Sequence, residues 1–196
     1  MNVHDFLVLN AMRLAERAHR QRNHQRKAPP GEDRPAYFLH LAEVAWLLND
    51  GGVRDDELIA AAFLHDIVED CGYDERSLAD ALGNARVAAL VAAVSEVDKG
   101  QSWESRQQSY RERLAALNDP AILALSCADK TSNLMDINRL LAKGYAVDSF
   151  TKRGFASQQA KFESLDRLFR GRVPERLYQR FREALAEFRE RGQASA

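Results

Sequence analysis

Apolar residues recur at three- and four-residue spacing along almost the whole chain, and almost no stretch alternates β-branched with polar residues as a half-buried strand would. The pattern predicts an all-α fold, with helices at about 3–22, 38–49, 55–70, 77–82, 84–97, 103–117, 120–142, 151–170 and 174–191. Punctuation agrees with it. Pro120 and Pro174 stand at first helical positions, Ser77 with Asp80 resembles a capping box, and Gly83, Gly144 and Gly171 read as helix stops. In the last helix Leu177, Phe181, Leu185 and Phe188 form one stripe while Arg176, Glu183, Glu187 and Glu190 lie largely off it, so this helix packs by one face. Trp46 on the second helix and Phe188 on the last are read as core residues. Asn23 to Pro35 is the clearest loop, because three prolines and a glycine interrupt helical continuation there. A second polar stretch spans Asp98 to Ser105. No repeat or heptad array occurs, and only the QASA tail reads as frayed.

Composition narrows the function classes. The 196 residues read as one domain over 1–196, and 45% hydrophobic with 29% charged residues is an ordinary globular mix. Twenty-eight Lys and Arg against 29 Asp and Glu leave a formal charge of −1, so no chain-wide positive field exists for a nucleic acid or an anionic membrane. The apolar runs Leu58–Leu64 and Val87–Val94 are far shorter than the roughly 20 residues a membrane span needs. The N-terminus lacks the basic-then-apolar order of a secretion signal, and Cys71 and Cys127 show no pairing motif. A cytoplasmic setting is expected.

Chemistry concentrates in Ala60–Asp70, AAAFLHDIVED, where an apolar helix turns abruptly into His65, Asp66, Glu69 and Asp70. On a continuous helix His65 with Glu69, and Asp66 with Asp70, are i, i+4 neighbours. Three carboxylates beside a buried helix repel one another and cost desolvation energy unless a cation compensates them. The plain alternative is the solvated end of a buried helix, and His4-Asp5 shows that a bare His-Asp pair is not specific. His40 lies in the apolar YFLHLAEVAWLL, where a lone histidine is more often a satisfied core residue. Asp129 interrupts the apolar ILALSCADKTSNLMDI with Asn133 one turn on, the plain alternative there being a salt bridge with Lys130 or an exposed face. Together His40, His65, Asp66 and Asp129 make a mixed nitrogen and oxygen set suited to manganese, iron, cobalt or zinc. Glu69 and Asp70 would then be free to orient water or move protons.

The order His40, His65-Asp66, Asp129 resembles the HD-domain metal-dependent phosphohydrolases. Within them the run AERAHRQRNHQRK, then YFLH, AAFLHDIVED and ADKTSNL, closely resembles the hydrolase domain of RelA/SpoT-type proteins. These motifs occur in order and the similarity covers most of residues 8–170, with the 174–191 helix beyond them. That resemblance implies a helical, manganese-dependent enzyme that removes pyrophosphate from the 3′ position of ppGpp and pppGpp, the alarmones of the stringent response. It implies His40, His65, Asp66 and Asp129 as metal ligands and Glu69-Asp70 as the catalytic acidic pair. Arg26 and Lys27 would bind the nucleotide, by stacking and by charge, where a solvated basic loop is the plain alternative, and Asn133 would lie near the ribose and its 3′ substituent.

The chain departs from the family pattern at Leu41 (usually proline), Cys71 (threonine), Ser126-Cys127 (Lys-Leu) and Met135 (arginine). The last removes one expected positive charge near the substrate. The long bifunctional relatives add synthetase and regulatory domains for which 196 residues leave no room, so a stand-alone small alarmone hydrolase is expected. The alternatives are an NADPH 2′-phosphatase or other nucleotide phosphohydrolase, and a non-catalytic nucleotide-sensing HD module. The expected partner is a small-molecule nucleotide. The sequence leaves the oligomeric state and any regulator open.

Overall fold

Side-chain caps fix half of the ten helix starts among the described residues. The structure, a computed structural model, describes residues 6–96 and 100–194. Its helices are α1 Leu7–Gln21, α2 Phe38–Asp50, α3 Asp56–Leu64, α4 Ile67–Cys71, α5 Glu75–Leu82, α6 Ala85–Val94, α7 Trp103–Leu117, α8 Pro120–Ala142, α9 Phe155–Phe169 and α10 Glu175–Ala194. Asp55, Asp74, Asn84, Ser102 and Asp119 each accept a hydrogen bond from the first turn that follows, satisfying amides no helical carbonyl can reach. Among the described residues there is no β-strand, only an isolated bridge between Gln25 and Ala36 inside the expected loop.

Several boundaries move, and the moves have causes. The expected Ser77/Asp80 capping box is a reciprocal Asp74/Ser77 pair, because Asp74 has the extended backbone a cap requires, so α5 begins two residues earlier than expected. The ninth helix starts at Phe155 after an extended Gly154, not at Thr151. Pro174 precedes the last helix, which runs three residues further than expected. Residues 3–5 of the expected first helix and 97–99 lie outside the described residues. The expected helix over 55–70 is two helices, α3 and α4, separated by a turn at His65-Asp66. His65 Nδ1 bonds the Ala62 carbonyl at 2.8 Å, the acceptor that the Asp66 amide would use in an unbroken helix.

Helix α8 is the axis of the molecule, packing along α10 on one side and against α2 on another, with α3, α6 and α9 also in contact. Its Asn138 donates to the Ala184 carbonyl of α10 at 2.8 Å. The predicted α10 stripe of Leu177, Phe181, Leu185 and Phe188 is buried against it. Phe169 meets Phe181 edge-on at 5.3 Å and Phe162 meets Phe188 at 5.9 Å, both within the range where aromatic pairs add to area burial. Trp46 corrects the expectation made for it, being 53% exposed. Helix α2 is apolar almost all round, its inner face is filled by Leu41, Val44, Ala45 and Leu48, and Trp46 is left with Leu39 on the outside. Cys71 and Cys127 are buried and free.

Candidate metal centre

Three segments bring four donor groups to one point. His40 comes from the first turn of α2, His65 and Asp66 from the α3–α4 turn, and Asp129 from the middle of α8. His40 Nε2 and His65 Nε2 are 3.2 Å apart. Asp66 Oδ2 lies 2.9 Å from His65 Nε2 and 3.6 Å from His40 Nε2, and Asp129 Oδ1 lies 3.3 Å from His40 Nε2 and 3.6 Å from His65 Nε2. Both histidines are fully or nearly fully buried.

The surrounding hydrogen bonds fix which ring nitrogens face inward. A carbonyl can only accept, so His65 carries a proton on Nδ1 toward Ala62, and in its neutral form presents a lone pair at Nε2. His40 Nδ1 meets Ser132 Oγ at 2.9 Å, and that hydroxyl donates to Glu43 Oε2 at 2.8 Å. With its proton directed to Glu43, Ser132 is left to accept, so His40 also turns a lone pair inward. Two imidazole lone pairs and two carboxylate oxygens therefore face one another in a buried space. A divalent cation at that point converts the mutual repulsion into ligation, and the donor set suits one. Burial disfavours an imidazolium, yet Asp66 and Asp129 outweigh it and hold His65 well above the usual histidine range, the same demand for positive charge seen from the proton's side. Ser132→Ala removes the group that fixes the His40 tautomer. We expect metal affinity to fall about 10–100-fold with the fold intact, as measured by metal titration; an unchanged affinity would show that Ser132 does not orient the ring.

The outer contacts are equally specific. Tyr37 donates to Asp66 Oδ2 at 2.6 Å, and Tyr37 is itself stacked on His24, at 3.8 Å between centroids, with the near-parallel ring of His19 4.9 Å away. Burial holds His19 neutral, its pKa lowered to about 4. Lys130 donates to Asp129 Oδ2 at 2.6 Å, so the salt bridge weighed as an alternative to ligation coexists with the cluster: one carboxylate oxygen faces the lysine and the other the histidines. Asn133 donates to that second oxygen and accepts from Arg26 at 3.1 Å. Arg26 also holds Asp136 at 2.8 Å and lies over the Tyr37 ring, so its guanidinium plane is already oriented.

Glu69 and Asp70 sit beside the donor cluster, not in it. Glu69 Oε1 accepts from the Glu96 amide at 2.7 Å, and burial, reinforced by the Asp66 charge, raises its pKa to about 7. Asp70 lies 3.7 Å from His24 Nδ1. A cavity of about 770 Å³ is lined by Asp70, Arg26, Lys27 and Asn133, and also by Trp103, Arg106, Lys152, Arg153 and Lys161. Met135 packs partly buried against the core.

The structure thus gathers all nine residues singled out from the sequence: four at the cluster and five around it. Sequence reasoning missed Tyr37, Glu43 and Ser132, although Glu43 and Ser132 each lie three residues after a candidate ligand on the same helix face. It also missed the cations of α7, α9 and the segment between α8 and α9, whose spacing carries no local signal.

Residues 11–155 match the family described as "HD domain". The chain is 33% identical over 142 residues to the zebrafish (Danio rerio) guanosine-3′,5′-bis(diphosphate) 3′-pyrophosphohydrolase MESH1, covering 72% of this chain and 74% of that one. The human counterpart is 34% identical over 140 residues, covering 71% and 74%. A Vibrio cholerae guanosine-3′,5′-bis(diphosphate) 3′-pyrophosphohydrolase is 33% identical over 122 residues, which are only 17% of its length. Among solved structures, a metazoan SpoT ortholog that hydrolyses ppGpp superposes with a TM-score of 0.74 at 25% identity, covering 95% of this chain and 96% of that one. A Listeria monocytogenes protein superposes with a TM-score of 0.67 at 30% identity, covering 80% and 97%.

Proposed function

The chain belongs to the HD-domain family, and from that membership and the donor cluster we propose that it is a metal-dependent phosphohydrolase acting on the 3′-diphosphate of ppGpp or pppGpp, releasing GDP or GTP and pyrophosphate. The observation that carries this is the junction of two parts: four converging lone-pair donors, and a cation-lined cavity of nucleotide size opening beside them. We take the whole chain as one hydrolase domain working on a small nucleotide in the cytoplasm.

His40, His65, Asp66 and Asp129 hold the ion, for which manganese suits the mixed donors. Once bound, it supplies Lewis-acid charge at a phosphoryl oxygen and lowers the pKa of water. Water then adds across the bond between ribose O3′ and phosphorus, leaving its oxygen on the departing diphosphate and a proton on O3′. Glu69, with a pKa raised to about 7, is poised to take the proton from the attacking water. Asp70, facing the cavity, stands where it can return a proton to O3′. Arg26, held by Asp136 and Asn133, offers a fixed cationic plane to the purine, and Lys27 meets phosphate.

The test is to incubate manganese-loaded protein with ppGpp and resolve nucleotide and phosphate products by anion exchange. We expect GDP and pyrophosphate in equal amounts. Orthophosphate, or an untouched ppGpp peak with metal confirmed in the protein, would sink the assignment and move the substrate to NADPH or another nucleotide phosphate.

A further inference from the structure

Of the six lysines and arginines lining the cavity, three are already committed. Arg26 is paired with Asp136, Arg106 lies 3.6 Å from Glu96, and Arg153 lies 3.5 Å from Glu104 while packing over Trp103. Among the described residues, Lys27, Lys152 and Lys161 line the same space with no carboxylate in ion-pair reach. Lys161 is the unusual one. It projects from α9, beyond residues 11–155 that match the HD family, and its immediate neighbour Phe162 is buried in the core. Its ammonium sits 5.4 Å from the Phe162 ring centroid and within electrostatic reach of Lys130, Asp129, Glu96 and Lys27. Burial and then Lys130 bring its pKa down to about 8. A partly buried ammonium so placed is undercompensated, and an incoming anion corrects that.

The charge around the metal centre shows which anion. Asp66, Asp129, Lys130 and a divalent cation sum to one net positive charge, and the Asp70 carboxylate beside them offsets it, so the metal centre by itself does not compensate a second phosphate beyond the one at the metal. A diphosphate monoester carries about one negative charge more than a phosphate monoester. We propose that Lys161 and Lys27, reaching in from α9 and from the loop before α2, form a two-sided clamp on the distal phosphate of the departing diphosphate, making this chain selective for diphosphate over monophosphate esters. This rests on the phosphohydrolase assignment above and adds to it a specificity-determining residue outside the shared HD region.

Binding separates the two ideas. Metal-loaded wild type, Lys161→Gln and Lys161→Arg are dialysed to equilibrium against radiolabelled pyrophosphate and, separately, orthophosphate. Lys161→Gln is expected to weaken pyrophosphate binding about 10–100-fold, the range for a lost charge-assisted hydrogen bond, while orthophosphate shifts less than about threefold. Lys161→Arg should restore most of the pyrophosphate affinity. With ppGpp, the Gln variant should show the same loss chiefly in KM. Lys161→Met, an apolar fit against Phe162, serves if the Gln variant does not fold. Pyrophosphate affinity unchanged in the Gln and Met variants, or an equal loss for orthophosphate, overturns the clamp. Lys161-dependent pyrophosphate binding in a protein that leaves ppGpp intact upholds the clamp and removes only the substrate assignment.

Discussion

His65→Ala is expected to strip the protein of its metal and of hydrolytic activity together, with turnover falling at least about a thousandfold. The imidazole supplies an inward lone pair 3.2 Å from that of His40 and 2.9 Å from Asp66 Oδ2, so both of these lose their nearest fellow donor. Its Nδ1 proton also occupies the Ala62 carbonyl, and removing it frees that carbonyl to accept the Asp66 amide and extend α3 through the turn. Asp66 is the residue that would then move, taking a second ligand and the Tyr37 hydrogen bond with it. Loss of metal, loss of activity and a small gain in helix content are therefore one event. Elemental analysis of the purified variant beside a ppGpp assay checks it. A variant without metal that still turned over ppGpp would refute the metal-centred mechanism, and a fully loaded one would refute the ligand set.

Glu69→Gln should separate the two halves of the site: metal retained, turnover lowered about a hundredfold to ten-thousandfold, and the metal-free protein more stable at alkaline pH. The side chain keeps its shape, and the Gln carbonyl can still accept from the Glu96 amide. What disappears is the proton acceptor. The stability change follows from linkage. In the fold the carboxyl has a pKa of about 7 against an ordinary 4.5, because burial and the Asp66 charge disfavour its ionised form. The folded state thus binds more protons than the unfolded chain between those values, so stability falls as pH rises through that window. Above it Glu69 costs about 3 kcal/mol, at 1.36 kcal/mol per pKa unit, and below pH 4 it costs nothing. Denaturant titrations of metal-free wild type and variant should coincide at pH 4 and separate at pH 8, the variant being the more stable. Equal stability at both pH values would show that Glu69 is solvated, and undiminished turnover would show that it carries no proton. A group that destabilises its own fold where it is ionised is a recognised mark of a functional site.

Much of this protein is legible one residue at a time. The spacing of apolar positions determines the helices, since a helix buries only one stripe and Leu177, Phe181, Leu185 and Phe188 must share it. The order His40, His65-Asp66, Asp129 stands out in the sequence as a candidate ligand set because isolated ionisable residues inside apolar helices are costly unless something compensates them. Local sequence could not give the turn at His65-Asp66, because His65 itself takes the carbonyl that a helical periodicity assigns to the Asp66 amide. Nor could it give the exposure of Trp46, since α2 is apolar on faces that other helices cover and on one they leave open. The ring orientations of His40 and His65, the stack of His19, His24 and Tyr37, and the approach of Lys161 to Lys27 were decided only when helices distant in sequence came together. Sequence specifies which faces are buried and which residues are expensive to bury, because those are local costs. Which buried group meets which is set by the packing of helices against one another, and the chemistry of this site lies in those meetings.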